Sequence, residues 1–177
     1  MGPACPQNPK HHPPPYDPAL IQDYIICRGG GRLDKLQVIK IACIAYGHVL
    51  AQSNVRLFRG GQEAWAYGPV VSAMYESLKE FHGPIDVIPY SGIPLDGGPE
   101  FQKSLAFMAG VMDPEIRGIL DVVVEEYGRL SGAELLRLTH LKGSPWARAY
   151  RRGEHHTPIP DKIIRDYYLR IAAEARA

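Results

Sequence analysis

"RLDKLQVIKIACIAYGHVLAQSN", Arg32 to Asn54, decides the fold. From Val38 to Tyr46 it is apolar on nearly every side, and Lys40 is its one charge. A helix that is apolar all round belongs in the middle of a bundle, because no face of it suits water. The chain is therefore read as mainly α, a compact domain of six or seven helices with a minor β-hairpin. Within this helix, Cys43, Tyr46 and His48 read as core filling and helix-end polarity.

Working outward, Asp17-Pro18 opens the preceding helix, "ALIQDYIICR", with Asp17 as cap and Pro18 at the first position. The glycines of "GGGR", residues 29–32, suit a left-handed helix stop. An anion site there is the weaker reading, since no strand precedes the glycines. Downstream, Val55–Leu57 and Ala64–Ala66 read as short strands around the Gly60-Gly61 turn. Pro69 reads as the start of a third helix, with Val70, Val71, Met74, Leu78 and Phe81 as its stripe. A Gly/Pro-rich connection follows, and then a helix over "EFQKSLAFMAGV". Asp113-Pro114 caps another helix that Gly128 ends. Ser131 and Glu134 have capping-box spacing. Ser144-Pro145 starts a short turn of helix, and "PDKIIRDYYLRIAAEA" is the last helix.

Residues 1–15 contain six prolines and almost nothing apolar. They read as a tail, disordered or partly polyproline II, ahead of a single domain over 16–177. His11-His12 in that tail reads as a solvated pair.

The totals exclude several functions. A formal charge of +1 is a poor match to a nucleic-acid binder, which needs a clustered basic excess. Arg148, Arg151 and Arg152 read as a solvated face. No apolar run approaches the roughly 20 residues of a membrane span, and no signal pattern opens the chain, so a cytoplasmic location is expected. Cys5, Cys27 and Cys43 show no CxxC spacing, which argues for free thiols and against a zinc site. The phosphate-loop, dinucleotide, nucleophile-elbow and zinc-protease patterns are all missing, and no two histidines stand four apart on a helix. No cofactor and no metal is expected, and the chain is not read as an enzyme.

What remains is "LTHLKGSPW", Leu138 to Trp146. Thr139-His140 ends one helix, and Ser144, Pro145 and Trp146 begin the next. His140 either caps a helix C-terminus, with Trp146 plugging the gap, or lines a surface groove with Trp146.

Three separated blocks, "RLDKLQVIKIACIAYGHVL", "EAWAYGPVVSAMYESLK" and "LSGAELLRLTH…SPW", resemble the Panacea domain of SocA-like and GepA-like proteins. The resemblance runs over about residues 17–174, closes on "IPDKIIRDYY", and leaves the proline-rich tail outside. The motif positions are Lys40, Gly68, Pro69, Thr139, Ser144, Pro145 and Trp146.

The resemblance implies an antitoxin that neutralises a cognate toxin, encoded by the adjacent gene, through direct protein contact. The SocA subgroup implies an alternative, an adaptor that delivers the toxin to the ClpXP protease. The occurrence of the family in phage implies another, a protein that binds a host defence factor. An enzyme using His140 is the least favoured reading. For partner contact, exposed aromatics and arginines are the candidate anchors: Arg56, Arg59, Trp65, Tyr67, Tyr75 and His140. Gly68 and Pro69 are expected to form a rigid corner, with Trp65 and Tyr67 packed beneath it. Tyr75 faces either core or partner.

Overall fold

The computed structural model describes residues 11–177. Eight helices and three short strands follow one another: α1 (Pro18–Gly29), α2 (Lys35–Ser53), β1 (Gln62–Trp65), β2 (Gly68–Val70), α3 (Ser72–Leu78), α4 (Pro99–Val111), α5 (Pro114–Tyr127), α6 (Gly132–Thr139), α7 (Pro145–Ala149), β3 (Thr157–Ile159) and α8 (Asp161–Arg176). The fold is mainly α, as its central stretch dictates. The tail expectation for residues 1–10 lies outside the described residues, and just beyond them the His12 N–H donates to the Val111 carbonyl at 2.9 Å.

Helix α2 is the axis of the molecule. Every residue from Val38 to Gly47 is buried, Lys40 included. Helices α1, α3, α5, α6 and α8 pack around it, with β2 against one side. This close wrapping is why its apolar residues show no single stripe. The nearest approach is to α8. A Cβ added at Gly47 would lie 2.2 Å from the ring of Tyr168, so only a glycine lets α8 seat that tyrosine against α2.

Local chemistry sets the helix ends. Asp17 accepts from the Ala19 N–H at 2.8 Å, and Gly30 stops α1 at φ 61°. Asp34 and Gln37 form a reciprocal capping box at the start of α2, and Ser131 and Glu134 form another at α6. Asp113 caps α5 and Ser144 caps α7.

The sheet corrects two expectations. Its hairpin pairs β1 with β2 in the register Glu63–Val70, Ala64–Pro69 and Trp65–Gly68, so the turn is Ala66-Tyr67 and not Gly60-Gly61. The segment Val55–Leu57 forms no strand of this hairpin. Nor does Pro69 start a helix. It lies within β2, and α3 begins three residues later at Ser72. The physical reason is the sheet order β2-β1-β3. On an edge strand, the N–H that proline lacks has no ladder partner to lose. The third strand, β3, comes from far down the chain and pairs antiparallel to β1.

Candidate functional site

The motif residues converge on the β1–β2 hairpin. From inside, α2 sends up Lys40, which is 1% exposed. Its Nζ donates to the Tyr67 carbonyl at 2.8 Å and to the Pro69 carbonyl at 2.9 Å. These two acceptors flank Gly68, so one side chain clamps both arms of the turn. Among the described residues no carboxylate pairs with the ammonium, and burial pulls its pKa down to about 8. Gly68 has φ 104°, and a Cβ there would lie 2.7 Å from Lys40 Nζ and 2.8 Å from His140 Cε1. The glycine answers both a backbone demand and a space demand.

His140 closes the other side. It stands at the C-cap of α6, and its Nδ1 lies 2.6 Å from the Leu136 carbonyl. A carbonyl only accepts, so Nδ1 carries the proton. The ring packs on Trp146 with centroids 4.0 Å apart. Trp146 in turn donates from Nε1 to the Trp65 carbonyl at 2.6 Å and stacks on Tyr150 at 4.8 Å. The intervening corner holds itself together. Thr139 Oγ1 donates to the Leu135 carbonyl, Ser144 Oγ donates to the Thr139 carbonyl at 3.0 Å, and the same Ser144 oxygen accepts from Ala147 N–H. His140 thus stands at the C-cap of α6, with its ring on Trp146.

On the outward side, Trp65 packs edge-on against Tyr75 at 4.9 Å and against His156 at 4.7 Å. Glu63 Oε2 accepts from Trp65 Nε1 at 2.7 Å and from His156 Nδ1 at 3.0 Å. Tyr67 sits in the turn and is 78% exposed, where packing beneath the corner was expected. The reason is the tight β1–β2 turn, which directs Tyr67 away from the body while its carbonyl points in to Lys40. Tyr75 is 39% exposed, with its ring on Trp65.

The structure therefore brings Trp65, Tyr67 and Tyr75 onto one hairpin and the ends of its neighbours. Arg56 and Arg59 are engaged elsewhere. Arg56 donates to the Tyr46 hydroxyl at 2.8 Å and pairs with Asp161 at 2.9 Å, tying α2 to the start of α8. Arg59 pairs with Asp17 at 3.5 Å and reaches the Pro15 carbonyl. Glu63, Tyr150 and His156 belong to the cluster and were not anticipated. Glu63 and Trp65 stand two apart on a strand and so share a face, which is a legible signal. His156 comes from 93 residues away and has none.

Burial pushes the thiols of Cys27 and Cys43 up to about 12, so both are protonated at neutral pH. Among the described residues, no three His, Cys, Asp or Glu side chains gather as a metal site, and no helix is long and apolar enough to cross a membrane.

Residues 39–147 match the family described as antitoxin SocA-like, Panacea domain. The chain belongs to the SocA-like Panacea family. The matched span starts one residue before Lys40 and ends one residue after Trp146, so it encloses the clamp, the hairpin and the His140–Trp146 corner. It is narrower than the 17–174 suggested by the resemblance, leaving α1, β3 and α8 outside. No curated protein and no solved structure matches the chain significantly.

Proposed function

We propose that this Panacea protein is an antitoxin that binds and neutralises a cognate protein toxin, and that the hairpin displays part of the contact surface. Family membership carries the reading. The geometry supports it in one respect. Lys40, Gly68, Pro69, His140 and Trp146 all face inward and hold one turn rigid, while Tyr67 on that turn is left in water. A large aromatic on a fixed backbone loses little conformational entropy on binding, which favours it as an anchor. Trp65 and Tyr75 form the shelf beside it. Arg56 and His140 are held by internal bonds, and we take Trp65, Tyr67 and Tyr75 as the anchors of the contact surface.

The test is to express the tagged protein with the product of its neighbouring gene and to follow growth and co-elution. A stoichiometric complex that restores growth supports direct neutralisation. Tyr67→Ala with Tyr75→Ala is expected to weaken that complex at least tenfold, about 1.4 kcal/mol, while the melting temperature holds. Growth rescue with no complex, lost in cells lacking ClpXP, would instead establish delivery for degradation.

A further inference from the structure

Beside the hairpin, α6, α7 and α8 enclose a cavity of about 230 Å³. Its walls include Leu138, Leu141, Trp146, Tyr167, Tyr168 and Ile171, and among the described residues no charged side chain lines it. Gln62, Thr139 and Ser144 also line it and donate to the carbonyls of Cys43, Leu135 and Thr139. Leu138 and Leu141 stand at the mouth, 37% and 50% exposed. Such a site suits an apolar or aromatic side chain.

Tyr167 is shared with a second depression, lined also by Gly143, Arg148, Asp166 and Arg170. The Arg170 guanidinium lies 5.3 Å from the centre of the Tyr167 ring. Its contact with Glu174 is long, 3.9 Å, and both partners are more than half exposed, so it competes weakly. Asp166, the one carboxylate here, is held by Lys162. Arg148 joins no ion pair of the described residues, and neither do Lys142, Arg151 and Arg152. Residues 137–177 hold nine Lys and Arg against four Asp and Glu, while residues 1–136 hold eleven against fifteen. The near-neutral total conceals a basic C-terminal quarter of the sequence, and the same quarter supplies much of the cavity's lining.

We infer that this cavity and the arginine-lined depression that adjoins it at Tyr167 receive an acidic segment of the protein partner that carries one apolar or aromatic anchor residue. The anchor fills the cavity, and flanking carboxylates pair with Arg148 and Arg170. The inference rests on the antitoxin reading above and adds to it the chemistry of the segment that binds. Opposite charge in the depression sets the rate of encounter, and the buried anchor sets the rate of escape. A protein is favoured over nucleic acid because leucine and isoleucine walls suit an aliphatic or aromatic side chain, and among the described residues the cavity itself holds no cation to grip a phosphate.

The probe is the purified product of the neighbouring gene, its association and dissociation measured at low and high salt. Arg148→Glu with Arg170→Glu is expected to slow association about tenfold and to flatten its salt dependence. Leu141→Glu is expected to speed dissociation about tenfold. Arg129→Glu, at the end of α5, should bind as wild type. These side chains are exposed, and an unchanged melting temperature confirms that each variant folds. Wild-type kinetics in both site variants would overturn this surface and leave the antitoxin reading standing, as would equal losses in Arg129→Glu. Loss of binding to a single-stranded RNA in the arginine variant, with the protein partner unaffected, would also overturn it. No binding by the wild-type chain would overturn the antitoxin reading and this surface together.

Discussion

Gly68 and Lys40 show how one residue can be needed for two reasons. Any side chain at Gly68 meets a backbone of φ 104° and two atoms within 3 Å. Gly68→Ala is expected to cost at least about 2 kcal/mol, from the left-handed backbone and the displaced clamp together, read as a lower urea midpoint. Lys40→Met would leave the Tyr67 and Pro69 carbonyls without a donor, at about 1–3 kcal/mol each, partly offset by removing a buried charge. A net loss of about 2 kcal/mol is expected. Its pH dependence is specific. The folded pKa is about 8 against 10.5 for the ordinary side chain. Between those values the unfolded chain holds a proton that the folded chain has released, so stability from this group rises with pH. The penalty is complete below about 8 and has lifted by 10.5. Wild type should therefore gain on Lys40→Met across that window; the buried tyrosines titrate in both proteins and cancel in the difference, while the Cys43 thiol, which the Lys40 charge pulls down, rises in the variant. Urea midpoints of the pair below, within and above the window check this, and a constant difference would show that Lys40 is not held as described.

At the scale of elements, the helix punctuation was largely readable. Asp17-Pro18, Asp113-Pro114, Ser131 with Glu134 and Ser144-Pro145 all cap the helices they announce, since a cap needs only its own first turn. The hairpin was misplaced for the opposite reason. Gly-Pro suits a helix start and an edge strand equally, and the choice rests on β3 pairing with β1 from across the chain. The α2–α8 contact depends on a similarly distant partner. Gly47→Ala would drive a methyl into Tyr168, and a loss of about 2 kcal/mol or more is expected in spite of the better helix propensity of alanine. Thermal unfolding decides it: a rise in melting temperature would mean that α8 gives way easily.

At the scale of the molecule, the matched family span of residues 39–147 is shorter than the packed set of helices. It omits α1 and α8, two of the helices that bury the apolar surface of α2. A fragment of those residues is expected to lack cooperative unfolding, whereas residues 11–177 should unfold in one transition; circular dichroism during heating distinguishes them. The sequence by itself determined the mainly α character and most helix ends, because burial pattern and capping are local properties. Only the tertiary structure decided that Pro69 sits in an edge strand, that Arg56 and Arg59 are engaged internally, and that His156 and Glu63 join Trp65. It also decided that two of the basic residues of the C-terminal quarter, Arg148 and Arg170, line a depression that shares Tyr167 with the apolar cavity. Each of these depends on which distant segments come to lie side by side, and neither residue spacing nor net charge carries that information.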